Sequence, residues 1–395
     1  MLSYADTRRG EVPTLWVVAF RPFFLAAAIW SALALALWMA MLISGLALPS
    51  RFDPLTWHIH EMLFGFVPAA MAGFLLTAIP NWTGRPPLHG APLACLAGLW
   101  LIGRIACLIS AFLPLWLAAA ADLAFPAALC AAAAHEIIAA RNWRNLLMPA
   151  PIAVLGIADL LMFLELGRFA VSPGLGWRLG LSTIVILISV IGTRIIPVFT
   201  RNWLSARGIA KPLAGHNLLD RAALGVLHAG LIGWAFAPTF APFGALLILA
   251  AVLNLLRLAR WHGSATLTEP LLFSLNVGYS WLIVGAALLG VTTLDAALPL
   301  AAAIHAFTAG AMGTMILAVM TRVSLGHTGR ELEADRFTTS LYLAVNAAAV
   351  MRITAAFLNG GAQLPLLSVS AALWVASFAL FVVRYGPMLV ASRIR

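Results

Sequence analysis

The stretch WHIHEMLFGFVPAAMAGFLLTAIP, residues 57–80, carries one formal charge, Glu61, in an otherwise almost wholly apolar run that opens on His58 and His60. About 20 apolar residues in a helix cross the ~30 Å hydrocarbon core of a bilayer, so this run reads as a transmembrane helix with two histidines and an acid at its start. Eleven further runs of the same kind lie near 20–46, 91–111, 113–138, 146–167, 178–200, 218–238, 241–261, 271–290, 296–321, 338–359 and 365–390. The chain has 395 residues, is 63% hydrophobic and only 10% charged, against about 25% charged in soluble domains. The expectation is an all-α membrane protein of about twelve transmembrane helices, a single helical domain over 1–395 with no room for a separate soluble domain. The polar start MLSYADTRRGEV precedes an apolar run long enough to span and without a small-residue cleavage site, so that run reads as a retained first helix.

Charge tests the count, because Lys and Arg gather in cytoplasmic loops. With the N-terminus inside, Arg8, Arg9, Arg21, Arg85, Arg141, Arg144, Arg201, Arg207, Lys211, Arg221, Arg257, Arg260, Arg322, Arg330, Arg336, Arg384, Arg393 and Arg395 all fall on the cytoplasmic side. Only Arg51, Arg168 and Arg178 fall outside, and Arg104, Arg194 and Arg352 lie within spans. Twelve helices with both termini inside is the topology this predicts. The net charge of +10 therefore reads as a topology signal and not as a nucleic-acid surface, since the basic residues sit singly at helix ends. Cys95, Cys107 and Cys130 lie in apolar runs without a CxxCH motif and read as small buried thiols.

Helices 2 and 10 resemble each other at a fixed offset of 245 residues. His60 aligns with His305, HEMLFG with HAFTAG, Gly65 with Gly310, and Thr83-Gly84-Arg85 with Thr328-Gly329-Arg330. Helix 6 ends in TRIIPVFTRNW, similar to TAIPNW after helix 2, but has no histidine. Likenesses four helices apart suit three pseudo-repeats of four helices. The glycines of AFTAGAMG let neighbouring backbones or a flat ring approach, and helix packing alone would account for them.

Ionisable residues at membrane depth mark pathways, cofactors or partners. On the expected topology His58, His60 and Glu61 lie within roughly 6 Å of the outer boundary and His305 roughly 12 Å down. That puts His60 and His305 on one side, closer in depth than a haem is wide, while His228 lies near the middle of helix 7. Neutral imidazole suits haem iron and copper, and histidines from different helices can clamp one porphyrin. The competing reading makes each an interfacial residue or a hydrogen-bond partner. His58, His60, His228 and His305 are the candidate metal ligands. His58 and His60, two apart on a helix, cannot both reach one iron unless the helix starts irregularly, so one of them suits iron and the other a second metal or a propionate. Arg104 and Arg352 are candidates for haem propionates, or else pair with Asp122 or Asp159 as structural ion pairs. Glu61 could orient an imidazole or relay protons, and Asp122, Asp159 and Glu165 could line a proton path. His89, His135, His216, His262 and His327, at cytoplasmic helix ends, carry no expected chemistry.

The segments AFRPFFL (19–25), WHIHEMLFGF (57–66), GFLLTAIPNWTGRP (73–86), TRIIPVFTRN (193–202) and HAFTAGAMGTMILAVMTRVSLGHTGR (305–330) resemble the NnrS family, over essentially the whole chain. The resemblance implies a protein of the bacterial inner membrane that binds haem b, is associated with copper, and serves in nitric oxide metabolism or nitrosative stress resistance. A second likeness, of fold, is to the main subunit of haem-copper oxidases and respiratory nitric oxide reductases, whose twelve helices form three groups of four with haem-binding histidines on helices 2 and 10. The chain lacks the adjacent histidine pair expected for a copper site there, so this likeness implies one haem rather than a binuclear centre, and likeness of fold does not establish a reaction. The resulting expectation is an intramembrane haem that binds and reduces nitric oxide, making the protein a nitric oxide reductase-like oxidoreductase. His60 and His305 would ligate or adjoin iron, His58 and His228 would serve a second metal, Glu61 would serve proton transfer, and quinol would be the electron donor. The alternatives are a non-catalytic haem or copper protein that senses nitric oxide, protects metal centres or carries electrons, and a transporter.

Overall fold

The computed structural model describes residues 12–209 and 217–392, which leaves Arg8, Arg9, Lys211, His216, Arg393 and Arg395 outside the described residues. Among the described residues the regular structure is helical, and twelve helices are long and apolar enough to cross a membrane. They are α1 (Phe20–Ser44), α2 (Pro54–Thr83), α3 (Ala91–Leu108), α4 (Leu115–Ala139), α5 (Trp143–Leu166), α6 (Leu175–Ala206), α7 (Leu218–Phe236), α8 (Ala241–Ala259), α9 (Pro270–Leu294), α10 (Leu300–His327), α11 (Arg336–Ala356) and α12 (Gly360–Val390). The protein is a multi-pass membrane protein, with each span where its apolar run predicted it. Differences sit at the ends. Helix α2 starts earlier than Trp57 because the Asp53 carboxylate accepts from the backbone N–H groups of Leu55 and Thr56 at 3.1 Å, with Pro54 pre-set for the first turn. Helix α10 starts only after Pro299 and has no side-chain cap at that end.

The chain packs as two compact units, one holding residues up to Leu181 with Val323–Glu331 and the chain from Phe381, the other Ser182–Arg322 with Leu332–Leu380. In the first, α1 and α4 pack on α2, α3 on α4 and α4 on α5. In the second, α7 packs on α8, α8 on α9, and both α9 and α11 on α10. The two histidine-bearing spans are the most enclosed, with 78% (α2) and 72% (α10) of their most apolar stretch buried against 56% or less in every other span.

These two spans also share a backbone irregularity. Helix α2 is α-helical to His60 and then π-helical over Glu61–Phe66, and α10 is α-helical to His305 and then π-helical over Ala306–Met312. In α2 the widened turn is followed by Pro68, which has no N–H to donate to the preceding turn. At the far ends Thr83 and Thr328 each donate to the carbonyl four residues back, at 2.9 and 2.6 Å, and Gly84 and Gly329 turn left-handed with φ of 70° and 78°. Helix α6 shares none of the π character and is α-helical throughout.

Two arginines counted as loop charges lie inside the protein. Arg21 sends its guanidinium to the carbonyls of Leu389 and Ala391, both at 2.7 Å, and so caps the end of α12. Arg257 is fully buried and donates to Asp220 at 2.9 Å and the Tyr279 hydroxyl at 2.8 Å, and also to Thr193. Their helix-end positions suggested solvent, but each instead satisfies buried acceptors from another helix.

Candidate functional site

Helices α2, α3, α4 and α5 bring six polar side chains into one buried cluster in the first unit: His60, Glu61, Arg104, Cys107, Asp122 and Asp159. All are at most 2% exposed. His60 is held between aromatic rings, stacked on Phe52 at 4.8 Å and edge-on to Phe163 at 5.6 Å. Its Nδ1 lies 3.1 Å from Glu61 Oε1, and its Nε2 lies 2.9 Å from Asp159 Oδ1 and 3.1 Å from Asp122 Oδ2. Both ring nitrogens therefore face carboxylates.

Arg104 holds the acids together. One guanidinium nitrogen donates to Glu61 Oε2 at 2.7 Å and another to Asp122 Oδ1. Trp30 donates its indole N–H to the same Glu61 oxygen at 2.9 Å, and the Cys107 thiol donates to Asp122 Oδ2 at 3.2 Å. Gly65 makes this possible. A Cβ there would lie 2.6 Å from Arg104 Nη1, 2.8 Å from Glu61 Oε2 and 2.8 Å from Trp30 Nε1. The carbonyl of Gly65, inside the π turn, accepts from the Trp100 indole at 2.9 Å. Thus the glycine that repeats in α2 and α10 gives a charged cluster its room here.

The corresponding place in the second unit is neutral. His305 is half-buried, and its Nδ1 lies 2.8 Å from the Ala301 carbonyl one turn back. Gly310 faces the Trp281 ring, where a Cβ would meet carbon at 2.6 Å, and Gly313 similarly faces Trp374. Trp281 donates to the Asn346 side-chain carbonyl at 2.8 Å. The glycine face of α10, which left room for a flat ring, is filled by indoles from neighbouring helices. Helix packing explains those glycines.

The remaining candidates have other partners. His58 stacks on Trp38 with centroids 4.3 Å apart and points away from the His60 cluster, as two residues on one helix must. His228 Nε2 is 2.9 Å from Ser189 Oγ, and because that hydroxyl donates to the Ile186 carbonyl at 2.7 Å, the imidazole N–H is the donor. Arg352 is half-buried on α11. Glu165, a candidate for a proton path, instead accepts from the Gly174 backbone N–H at 2.9 Å. Of the sequence candidates, His60, Glu61 and Arg104 come together, with Asp122 taking the structural ion pair with Arg104. Asp122 and Asp159 as joint partners of the His60 ring, and Cys107 as a donor into the cluster, were not singled out. The one local signal for them was an acid placed inside a span.

The chemistry open to the cluster of the first unit is proton exchange or cation binding by a histidine among acids. No individual curated protein matches the chain. The family described as NnrS protein matches residues 14–393, nearly the full length. The chain belongs to the NnrS family, and that membership fits a membrane protein of the nitric oxide response.

Proposed function

We propose that this is a haem-containing protein of the bacterial inner membrane that binds nitric oxide and reduces it, in nitric oxide metabolism and resistance to nitrosative stress. Family membership over residues 14–393 carries the nitric oxide part, and His305 is the residue that best fits the haem. Its Nδ1 donates to the Ala301 carbonyl at 2.8 Å, which keeps the lone pair of the neutral ring on Nε2, as an iron ligand requires. It also immediately precedes a π segment, a device frequent at functional sites. Haem b, when bound, supplies an iron that takes up a small neutral gas within an apolar setting.

The other residues divide according to what already engages them. Arg352 fits a propionate better than Arg104, whose guanidinium is committed to Glu61 and Asp122. His58, which stacks on Trp38, fits a second metal such as copper. His228 donates through Nε2 to Ser189, which leaves its Nδ1 lone pair suited to a second metal. Glu61, 3.1 Å from the His60 ring, can exchange a proton with it and so fits proton delivery. Reducing two nitric oxide molecules to nitrous oxide and water consumes two electrons and two protons. A quinol, soluble in the bilayer and a donor of both, is the matching reductant.

The test is to purify the full chain in detergent, count haem iron and copper, record reduced spectra with and without nitric oxide, and assay nitrous oxide. Stoichiometric haem, a nitric oxide-dependent spectral change and nitrous oxide formation are expected. His305→Ala should abolish or shift the haem spectrum and His327→Ala should not. A haem-free protein overturns the reading, and stoichiometric binding without nitrous oxide replaces reduction with a non-catalytic role.

A further inference from the structure

We infer that His60, Asp122 and Asp159 form a binding site for one divalent transition-metal ion, oriented by Glu61 and charge-balanced by Arg104. The inference does not rest on the haem reading. It starts from the hydrogen-bonding inventory of the imidazole. Glu61 Oε1 lies 3.1 Å from Nδ1 and, as a carboxylate, only accepts, so Nδ1 carries a proton. The opposite nitrogen then presents a lone pair to two further acceptors, Asp159 Oδ1 at 2.9 Å and Asp122 Oδ2 at 3.1 Å. The Nε2 lone pair and the two aspartate oxygens repel one another unless something positive lies between them. Protonating Nε2 supplies one hydrogen for two oxygens. A metal ion satisfies all three atoms at once.

Charge gives a second, independent count. Glu61, Asp122 and Asp159 bring three negative charges, and Arg104 brings one positive charge. With neutral His60 the enclosed cluster carries a net charge of −2, which a dication cancels. Protonating His60 alone would leave one negative charge buried without compensation, a costly state, and full neutrality by protons takes a second one on an aspartate. Geometry gives a third. Cis ligands of an octahedral ion with bonds of about 2.1 Å lie about 3.0 Å apart, and the Nε2 to oxygen separations are 2.9 and 3.1 Å. The ligand atoms of the three residues all lie within 4.8 Å of one another.

The surroundings match what metal-bound histidines need. A carboxylate on the far nitrogen of a ligating histidine fixes its tautomer and raises its basicity, the role Glu61 fills. Asp122 faces both ways, with Oδ1 on Arg104 and Oδ2 toward His60, so the guanidinium orients the ligand from the other oxygen, while Oδ2 itself also accepts from the Cys107 thiol at 3.2 Å. One nitrogen and two oxygens suit a borderline to hard dication such as Fe²⁺, Mn²⁺ or Zn²⁺ rather than Cu⁺, which prefers thiolates and thioethers. Cys107 donates to Asp122, placing its thiol among the orienting groups.

Co²⁺ is the probe, because its visible absorption reports coordination. The full-length protein in detergent, stripped with a chelator, should take up one equivalent of Co²⁺ with new visible bands and a raised melting temperature. Asp159→Asn, which keeps the shape, should weaken binding by more than about tenfold, and Glu61→Gln by roughly 10–100-fold. His327→Ala should leave binding intact. Absence of Co²⁺ uptake, or equal affinity after Asp159→Asn, overturns the site. If His60→Ala does not fold, the two isosteric variants still decide. Haem counted on the same samples separates the two readings: a haem-free protein that binds Co²⁺ through Asp159 refutes the haem and leaves the metal site standing.

Discussion

The turns that follow His60 and His305 have the same backbone and opposite chemistry. In each, an α-helix becomes π-helical at the next residue, and a glycine five positions after the histidine takes a tryptophan from the preceding span against it. After His60 that tryptophan bonds a carboxylate, which also binds an arginine, and the histidine is sealed among acids. After His305 the tryptophan bonds a neutral amide, position 306 is alanine where α2 has Glu61, and the histidine stays half-buried. The comparison teaches that the π turn and its glycine are a shared scaffold, and that a few side chains from neighbouring helices decide what it does. One copy is equipped to concentrate charge around its imidazole, and the other sets its imidazole against a backbone carbonyl.

The largest expected difference comes from removing the arginine. Arg104→Ala leaves Glu61 and Asp122 buried without their cation, and breaking such a buried pair costs about 3–5 kcal/mol. Asn346→Ala, in the neutral copy, loses a hydrogen bond worth about 0.5–1.5 kcal/mol. Denaturation in detergent measures both, and equal losses would break the contrast. Next come the glycines. Gly65→Ala and Gly310→Ala each force a Cβ to within 2.6 Å of a neighbour, an overpacking worth about 1–3 kcal/mol. Only Gly65→Ala should also weaken Co²⁺ binding, because only there is the displaced neighbour Arg104.

The indoles should separate the two copies by less than Arg104 and Asn346 do. Trp30→Phe removes a hydrogen bond to a charged acceptor, about 1.5–3 kcal/mol, and Trp281→Phe one to a neutral amide, about 0.5–1.5 kcal/mol. A double-mutant cycle of Trp30 with Glu61 should show coupling larger than that of Trp281 with Asn346. The smallest concerns helix starts, since α2 has a side-chain cap and α10 has none. Asp53→Ala should cost about 1 kcal/mol. Burial pushes the Asp53 carboxyl up, but its bonds from Thr56 and Leu55 prevail and hold it below its ordinary value. Its contribution is therefore present above the unfolded carboxylate value of about 3.9 and is lost as pH falls through the lower folded value. Melting curves of parent and Asp53→Ala should converge at strongly acidic pH, and a constant gap would show the cap to be independent of its charge.

Much of this was legible in the chain. The runs that became spans are local facts of composition, and the likeness of helices 2 and 10 placed both histidines, both glycines and both TGR ends in register before any packing was known. The π turns were not legible, because hydrophobic periodicity over a few residues does not separate a widened turn from a regular one. An intramembrane cation needs an anion, so Arg104 and Arg352 each pointed to Asp122 or Asp159 as a partner. Which of the several intramembrane acids each would meet was open. Arg21 and Arg257 looked like loop charges because a helix-end position carries no mark of whether another helix covers it.

By itself, then, the sequence determined that the chain is a membrane bundle with histidines at two related positions, because crossing a bilayer demands continuous apolar length and exposes every exception to it. Only the tertiary structure decided that His60 lies among Glu61, Asp122 and Asp159 while His305 does not. Those partners come from separate helices, up to 99 residues away along the chain. The interaction that brings them together, a desolvated balance of charge, exists only once the helices have packed.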